Sequence, residues 1–187
     1  VDYRAAGLED FGRPEGYLAR QADRWLAQLA DYERHAEWPG RAGLPGVDGI
    51  ADWLRENLPP EQPPGILHGD YQFGNVMYRP DSGDLAGLGD WELATIGDPL
   101  VDLGWIVACY PGSGGPELPV LRLDPWDGFP TAEELIARYG ELSSRDLNHI
   151  DWFIVLACFR LGIILEGTHA RACAGRAPKA TGDLLHA

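Results

Sequence analysis

Residues 66–98 constrain the fold of this chain more than any other stretch. Residues 65–68 and 76–79 read as short strands, Pro80-Asp81-Ser82-Gly83-Asp84 reads as a turn, and residues 85–89 return as a third strand. The outcome is one small hairpin. A free-standing two-stranded hairpin is marginal in water, so this one must lie on helices.

The flanking sequence supplies them. Leu18, Ala22, Trp25, Leu26 and Leu29 recur at helical spacing, which predicts a helix over 15–38 with Pro14 as its first residue, ended by Pro39 and Gly40. A second helix is predicted over 47–58 with Ile50, Trp53, Leu54 and Leu58 inward, before Pro59, Pro60, Pro63 and Pro64 stop regular structure. Asp98 followed by Pro99 marks the start of a helix reaching about residue 110. Thr131 with Glu134 forms a capping box opening a helix over 131–139. Residues 148–173 read as a long apolar helix buried on more than one side, in which Arg160 must pair with an acid or reach solvent. Residues 111–130, rich in proline and glycine, form a long loop, and the end after Gly175 is expected to fray. The fold class is therefore α+β and mostly helical.

At 187 residues the chain suits one domain with a sizeable core. We expect that domain over residues 1–175, followed by a tail over 176–187. No run of about 18 apolar residues offers a transmembrane helix, and the net charge of −14 argues against nucleic acid and anionic membranes as partners. Cys109, Cys158 and Cys173 lack metal-ligand spacing and read as buried free thiols in a reducing, cytoplasmic setting. The opening residue is Val1 and the single methionine is Met77, so further chain is expected upstream.

Three polar groups sit beside apolar runs in the central stretch: Asp70, Asn75 and Asp90. A lone aspartate in a turn is usually a loop cap. Here Asp70 and Asn75 share a loop between two short strands, and Asp90 arrives on the return strand, so all three can face one small volume. Two carboxylates and an amide oxygen are hard donors of the kind Mg²⁺ takes, with substrate phosphates filling its other positions. Asp98 reads as a helix cap and Glu92 as half of a salt bridge. His35, His149, His169 and His186 read as surface or core residues, and of the tryptophans only Trp91 falls near the chemistry.

Asp70-x-x-x-x-Asn75 followed by Asp90 at the end of the next hairpin resembles the protein-kinase pattern. Gly69 and the run Ile96-Gly97-Asp98-Pro99-x-x-Asp102-Leu103 are more similar to the aminoglycoside phosphotransferase and choline kinase branch. The run from Asp90 to Pro99 is particularly similar to phosphotransferase domains related to those fused to acyl-CoA dehydrogenases. The resemblance implies the C-terminal lobe of a protein-kinase-like fold, with the hairpin carrying the catalytic residues. It implies ATP and Mg²⁺ as cofactors, Asp70 as the base that orients an acceptor hydroxyl, and Asn75 and Asp90 as the metal- and nucleotide-binding ligands. His68 and Asp102 would tie the catalytic loop to the helix after Asp98.

The resemblance also implies an N-terminal lobe bearing a phosphate-binding lysine. The one lysine is Lys179, far downstream, so this chain by itself is expected to be inactive or nearly so. Position 89 departs from the family in being glycine, which loosens the strand before Asp90. The acceptor would be a hydroxylated small molecule, either a hydroxyacyl thioester or an aminoglycoside-like cation, held by the 111–130 loop and the last helix. A kinase-like module that binds a ligand or partner without phosphate transfer is the competing reading.

Overall fold

The computed structural model describes residues 2–35, 37–110 and 128–186. The chain forms two compact units: Val1–Tyr17 with Pro59–Ile154, and Leu18–Leu58 with Val155–Ala187.

The first unit carries four short strands: β1 (Gly65–Leu67), β2 (Val76–Tyr78), β3 (Leu85–Leu88) and β4 (Thr95–Gly97). The expected hairpin is β2–β3. Its register runs Val76↔Leu88 and Met77↔Gly87, then shifts to Tyr78↔Leu85 across a bulge. The turn closes where the Arg79 N–H donates to the Asp84 carbonyl (2.8 Å) and the Gly83 N–H to the Arg79 carbonyl (2.8 Å). A second ladder was not expected from the sequence. β1 pairs antiparallel with β4, Gly65↔Gly97 through Leu67↔Thr95. Leu67 and Ile96 in this ladder are both fully buried, so it belongs to the core while β2 and β3 do not.

Helix α3 (Leu100–Ala108) leaves β4 through Asp98 and Pro99, with the Leu100 N–H donating to Asp98 Oδ1 at 3.0 Å. Asp98 thus caps the helix as its sequence suggests. Leu100, Val101, Leu103, Trp105, Ile106 and Val107 are all buried, because an apolar helix between β4 and the rest of the unit has no solvent face to spare. α4 (Ala132–Leu142) opens on the expected capping box. Thr131 Oγ1 accepts from the Glu134 N–H at 3.2 Å, and Glu134 Oε2 accepts from the Thr131 N–H at 2.7 Å. The long helix α5 (Ile150–Cys173) starts in this unit and continues through the second. It buries Trp152, Phe153, Leu156, Ala157, Phe159 and Leu161 on several sides, as its unbroken apolar pattern requires.

The second unit corrects several expectations. The single helix over 15–38 is instead α1 (Gln21–Ala30) between two 3-10 turns, Leu18–Arg20 and Asp31–Arg34. Pro14 only heads a turn, accepting from the Tyr17 N–H at 3.0 Å. The cause is Gly16 at φ 59°, a left-handed residue that no α-helix can include. In α2 (Val47–Glu56) the buried residues are Ala51 and Leu54. Ile50, Trp53 and Leu58 are 40–41% exposed rather than inward. Ala51, with only a methyl group, lets neighbours approach closely on the stripe it shares with Leu54. Arg160 is buried, with its guanidinium 5.1 Å above the Trp25 ring in a cation–π contact.

The chain also does not fray after Gly175. It adds α6 (Lys179–His186), whose single lysine pairs with Asp183 at 2.6 Å. The three cysteines are free, but none is buried: Cys158 is exposed, and Cys109 and Cys173 are partly so. No helix among the described residues is long and apolar enough to cross a membrane.

Candidate active site

The candidate site lies on the loop between β1 and β2 and on the end of β3, all in the first unit. Its anchor is Asp102 on α3. One carboxylate oxygen accepts the His68 N–H at 2.7 Å and the other accepts the Gly69 N–H at 2.9 Å. This grips the chain as it leaves β1. Gly69 sits at φ 85°, and a Cβ there would run into the Leu93 carbonyl, so the turn requires glycine for both conformation and space.

His68 locks the other side. Its ring is buried, its Nδ1 accepts from the Asp70 N–H (3.3 Å), and its Nε2 lies 2.7 Å from the Gly89 carbonyl. These two contacts together select the tautomer with the proton on Nε2. The ring rests against Trp91, 4.6 Å between centroids. His68 and Asp102, expected to tie loop to helix, meet here through the His68 N–H and the Asp102 carboxylate.

Asp70 is half-buried and held at both oxygens. Oδ1 accepts from Trp105 Nε1 at 2.9 Å, and Oδ2 accepts from Asn75 Nδ2 at 3.0 Å and from Gln72 Nε2 at 3.2 Å. Asn75 Nδ2 also donates to the Asp70 carbonyl at 2.9 Å. The amide nitrogen of Asn75 is therefore committed to Asp70, which leaves its oxygen as the donor available to a cation. Asp90 reaches the same end of the hairpin through the backbone. The Gly89 N–H donates to the Asn75 carbonyl at 2.8 Å, one step beyond the Val76↔Leu88 pair, and Asp90 follows directly.

Asp90 has φ 61° and ψ 57° and is exposed. Among the described residues it alone, apart from glycines, has positive φ. A non-glycine residue held there costs on the order of 1–3 kcal/mol, and such residues gather at functional sites. The glycine at 89 does not leave the strand end loose, because both its N–H and its carbonyl are engaged.

Asp98 stands outside this network. It is buried, its Oδ1 accepts from Arg145 at 3.2 Å, and Arg145 also donates to the Pro63 carbonyl at 2.7 Å. Burial raises the Asp98 pKa above the ordinary carboxylate value; the Leu100 N–H and the Arg145 charge partly offset this. The Tyr71 hydroxyl is likewise raised, by burial first and then by Tyr78 and Asp102. Glu92 is exposed and makes no ion pair among the described residues, so the salt bridge expected of it is not found.

Sequence reasoning missed Trp105. The signal was there: Trp105 follows Asp102 by three residues, so one face of α3 presents both to the same loop. The 111–127 part of the loop expected to hold the acceptor lies outside the described residues. Its described end packs the Phe129 ring on Phe73, 5.6 Å between centroids, and Tyr110 Oη donates to the Pro130 carbonyl at 2.7 Å.

The profile of the family described as the phosphotransferase enzyme family matches residues 1–139. The chain belongs to that family. The chain is also similar to parts of longer proteins. Mouse acyl-CoA dehydrogenase family member 10 is 30% identical over 97% of this chain and 17% of its own length. Chicken acyl-CoA dehydrogenase family member 11 is 32% identical over 94% of the chain and 23% of its own length. The chain thus spans about a fifth of the length of these relatives. A Ralstonia eutropha protein provisionally assigned as an aminoglycoside phosphotransferase has a crystal structure that superposes with TM-score 0.81 at 29% identity. That superposition covers 100% of this chain and 57% of the other. The family's kinase-like α+β fold is therefore the fold of this chain.

Proposed function

We propose that this chain is the catalytic lobe of an ATP-dependent phosphotransferase that transfers the γ-phosphate to a hydroxyl of a small molecule. The observation that carries the reading is the doubly held Asp70. Its carboxylate is oriented by Trp105 on one oxygen and by Asn75 and Gln72 on the other. A carboxylate fixed in this way suits a base that aligns an acceptor hydroxyl and takes its proton as attack proceeds.

Asn75 and Asp90 fit the hard-cation role in donor chemistry. One offers an amide oxygen and the other an exposed carboxylate, both at the open end of the hairpin. Mg²⁺ held there with the nucleotide would neutralise charge on the phosphates. A second lobe outside these 187 residues would supply the cation for the α- and β-phosphates, since Lys179 sits on α6 paired with Asp183. Met77, Tyr78, Leu85, Trp91 and Leu93 are 45–59% exposed around the hairpin, an apolar face of the kind such a lobe would cover.

Among acceptors we favour hydroxyacyl thioesters over aminoglycosides, because the mouse and chicken relatives are named as acyl-CoA dehydrogenase family members. The test is transfer of label from [γ-³²P]ATP by the full-length protein to a panel holding both acceptor classes. Transfer abolished by Asp70→Ala and dependent on Mg²⁺ is expected. A full-length protein that binds Mg²⁺–ATP but labels no hydroxyl in the panel would favour the non-catalytic module instead.

A further inference from the structure

Glu166, His169 and His186, all in the second unit, play no part in the phosphotransfer reading, yet each brings one potential ligand atom within 4.8 Å of the others. Glu166 and His169 are three residues apart on α5 and share a face, and Cys173 extends that face by one more turn. α6 folds back and brings His186 to it. His186 Nδ1 lies 2.8 Å from Glu166 Oε2, and its ring stacks on His169 with centroids 4.2 Å apart. Cys173 Sγ lies 3.4 Å from His169 Nε2. The sequence spacing hid this group, because His186 joins only through the turn between the two helices.

The surroundings resemble those that support metal ligands. His169 Nδ1 lies 3.2 Å from the Gly182 carbonyl, where it can donate, which leaves the Nε2 lone pair facing Cys173 Sγ. Ligating histidines characteristically donate their second N–H to a carbonyl or carboxylate. The other oxygen of Glu166 accepts from Trp38 Nε1. Glu166 and His169 are 4% and 8% exposed, so both sit prepositioned and shielded from water. Two imidazoles, a carboxylate and a neighbouring thiol form a borderline-soft donor set suited to Zn²⁺, unlike the all-oxygen sets of Mg²⁺ and Ca²⁺.

We propose that Glu166, His169 and His186 form a Zn²⁺ site that fastens α6 to α5, with Cys173, which lies outside the three-atom group beside His169, turning in as fourth donor. His186 is the mobile ligand: exposed on the last turn, it rotates out of the stack to direct Nδ1 at the ion.

The full 187-residue chain, free of any affinity tag, is titrated with Zn²⁺ by calorimetry and with Co²⁺ by absorption. One ion per chain is expected, with micromolar or tighter affinity, tetrahedral Co²⁺ bands in the visible, and a thiolate-to-cobalt band that Cys173→Ser removes. His169→Ala and His186→Ala each weaken binding at least about tenfold. His186→Gln, at an exposed position, carries the same expectation should His169→Ala fail to fold. Binding that is absent, or unchanged in both His186 variants, overturns the site and leaves the Glu166–His186 contact a plain hydrogen bond. A wild-type spectrum without the thiolate band overturns the four-donor form. Neither readout depends on phosphate transfer.

Discussion

Replacing Asp102 by alanine should cost this fold more than any other single change at the candidate site. Its two oxygens accept the His68 and Gly69 N–H groups at 2.7 and 2.9 Å, and both of those residues are buried. A hydrogen bond to a charged acceptor contributes about 1.5–3 kcal/mol, and a buried donor left without a partner costs about 1–3 kcal/mol. Asp102 is itself partly exposed, so water recovers some of the loss. We expect Asp102→Ala to destabilise by about 2–4 kcal/mol, a fall in Tm of roughly 5–15 °C for a chain of this size. Asp102→Asn should retain part of that stability, since one oxygen still accepts while the amide nitrogen opposes the second N–H. Urea denaturation followed by far-ultraviolet circular dichroism measures both, read as a lower midpoint at unchanged slope. A loss below about 1 kcal/mol for the alanine variant would show that the two hydrogen bonds to the backbone do not hold this loop, and the reasoning would fail.

Trp105→Phe keeps the ring but removes the donor to Asp70. It should slow the proposed phosphate transfer by the full-length protein about tenfold or more and, because it deletes one hydrogen bond to a carboxylate at a buried ring, cost about 1.5–3 kcal/mol of stability. Asp90→Val, a β-branched residue at φ 61°, should destabilise by about 1–2 kcal/mol, whereas Asp90→Gly should not; chemical denaturation compares them. A Cβ at Gly104 would meet the Phe153 carbonyl at 2.5 Å while one at Gly162 meets nothing, so Gly104→Ala should cost about 1–3 kcal/mol. Gly162→Ala should instead stabilise α5 by about 0.5–1 kcal/mol. Because burial raises the Asp98 pKa in the folded state, the fold takes up that proton more readily than the unfolded chain. Wild type should therefore gain stability relative to Asp98→Asn as the pH falls through the raised value toward the ordinary one, about 3.9. Midpoints measured across that interval should diverge in that direction.

What could be read from the sequence is what local chemistry decides. The β2–β3 turn, the Asp98 cap and the Thr131–Glu134 capping box need only neighbouring residues, and all three form. Asp70, Asn75 and Asp90 were visible as a spacing around a hairpin. β4 was not visible: three residues carry no period, and Thr95–Gly97 becomes a strand only because β1, far back in the chain, pairs with it. The left-handed backbone of Asp90 carries only a weak residue-type signal: aspartate enters that region more readily than most residues, but most aspartates do not. α6 escaped notice because its stability comes from contacts with α5, made by Gly182 and His186, rather than from its own composition. Ile50 and Trp53 misled because an apolar residue at helical spacing says only that a face exists, not which face is covered.

The β1–β4 ladder has a consequence for how the candidate site can move. Leu67 pairs with Thr95, so everything between them, including Asp70, Asn75 and Asp90, hangs on one excursion of chain closed at its neck. Closing so long a loop costs entropy that the neck contacts offset together with the Asp102 and Trp105 bonds just inside the neck. The excursion should then open and reclose as one cooperative unit. In native-state hydrogen exchange, the amides of Val76 and Gly89 would share one opening free energy. Loosening the neck at Ile96 would speed all of them together, while a change at the Ser82–Gly83 tip would be felt only there.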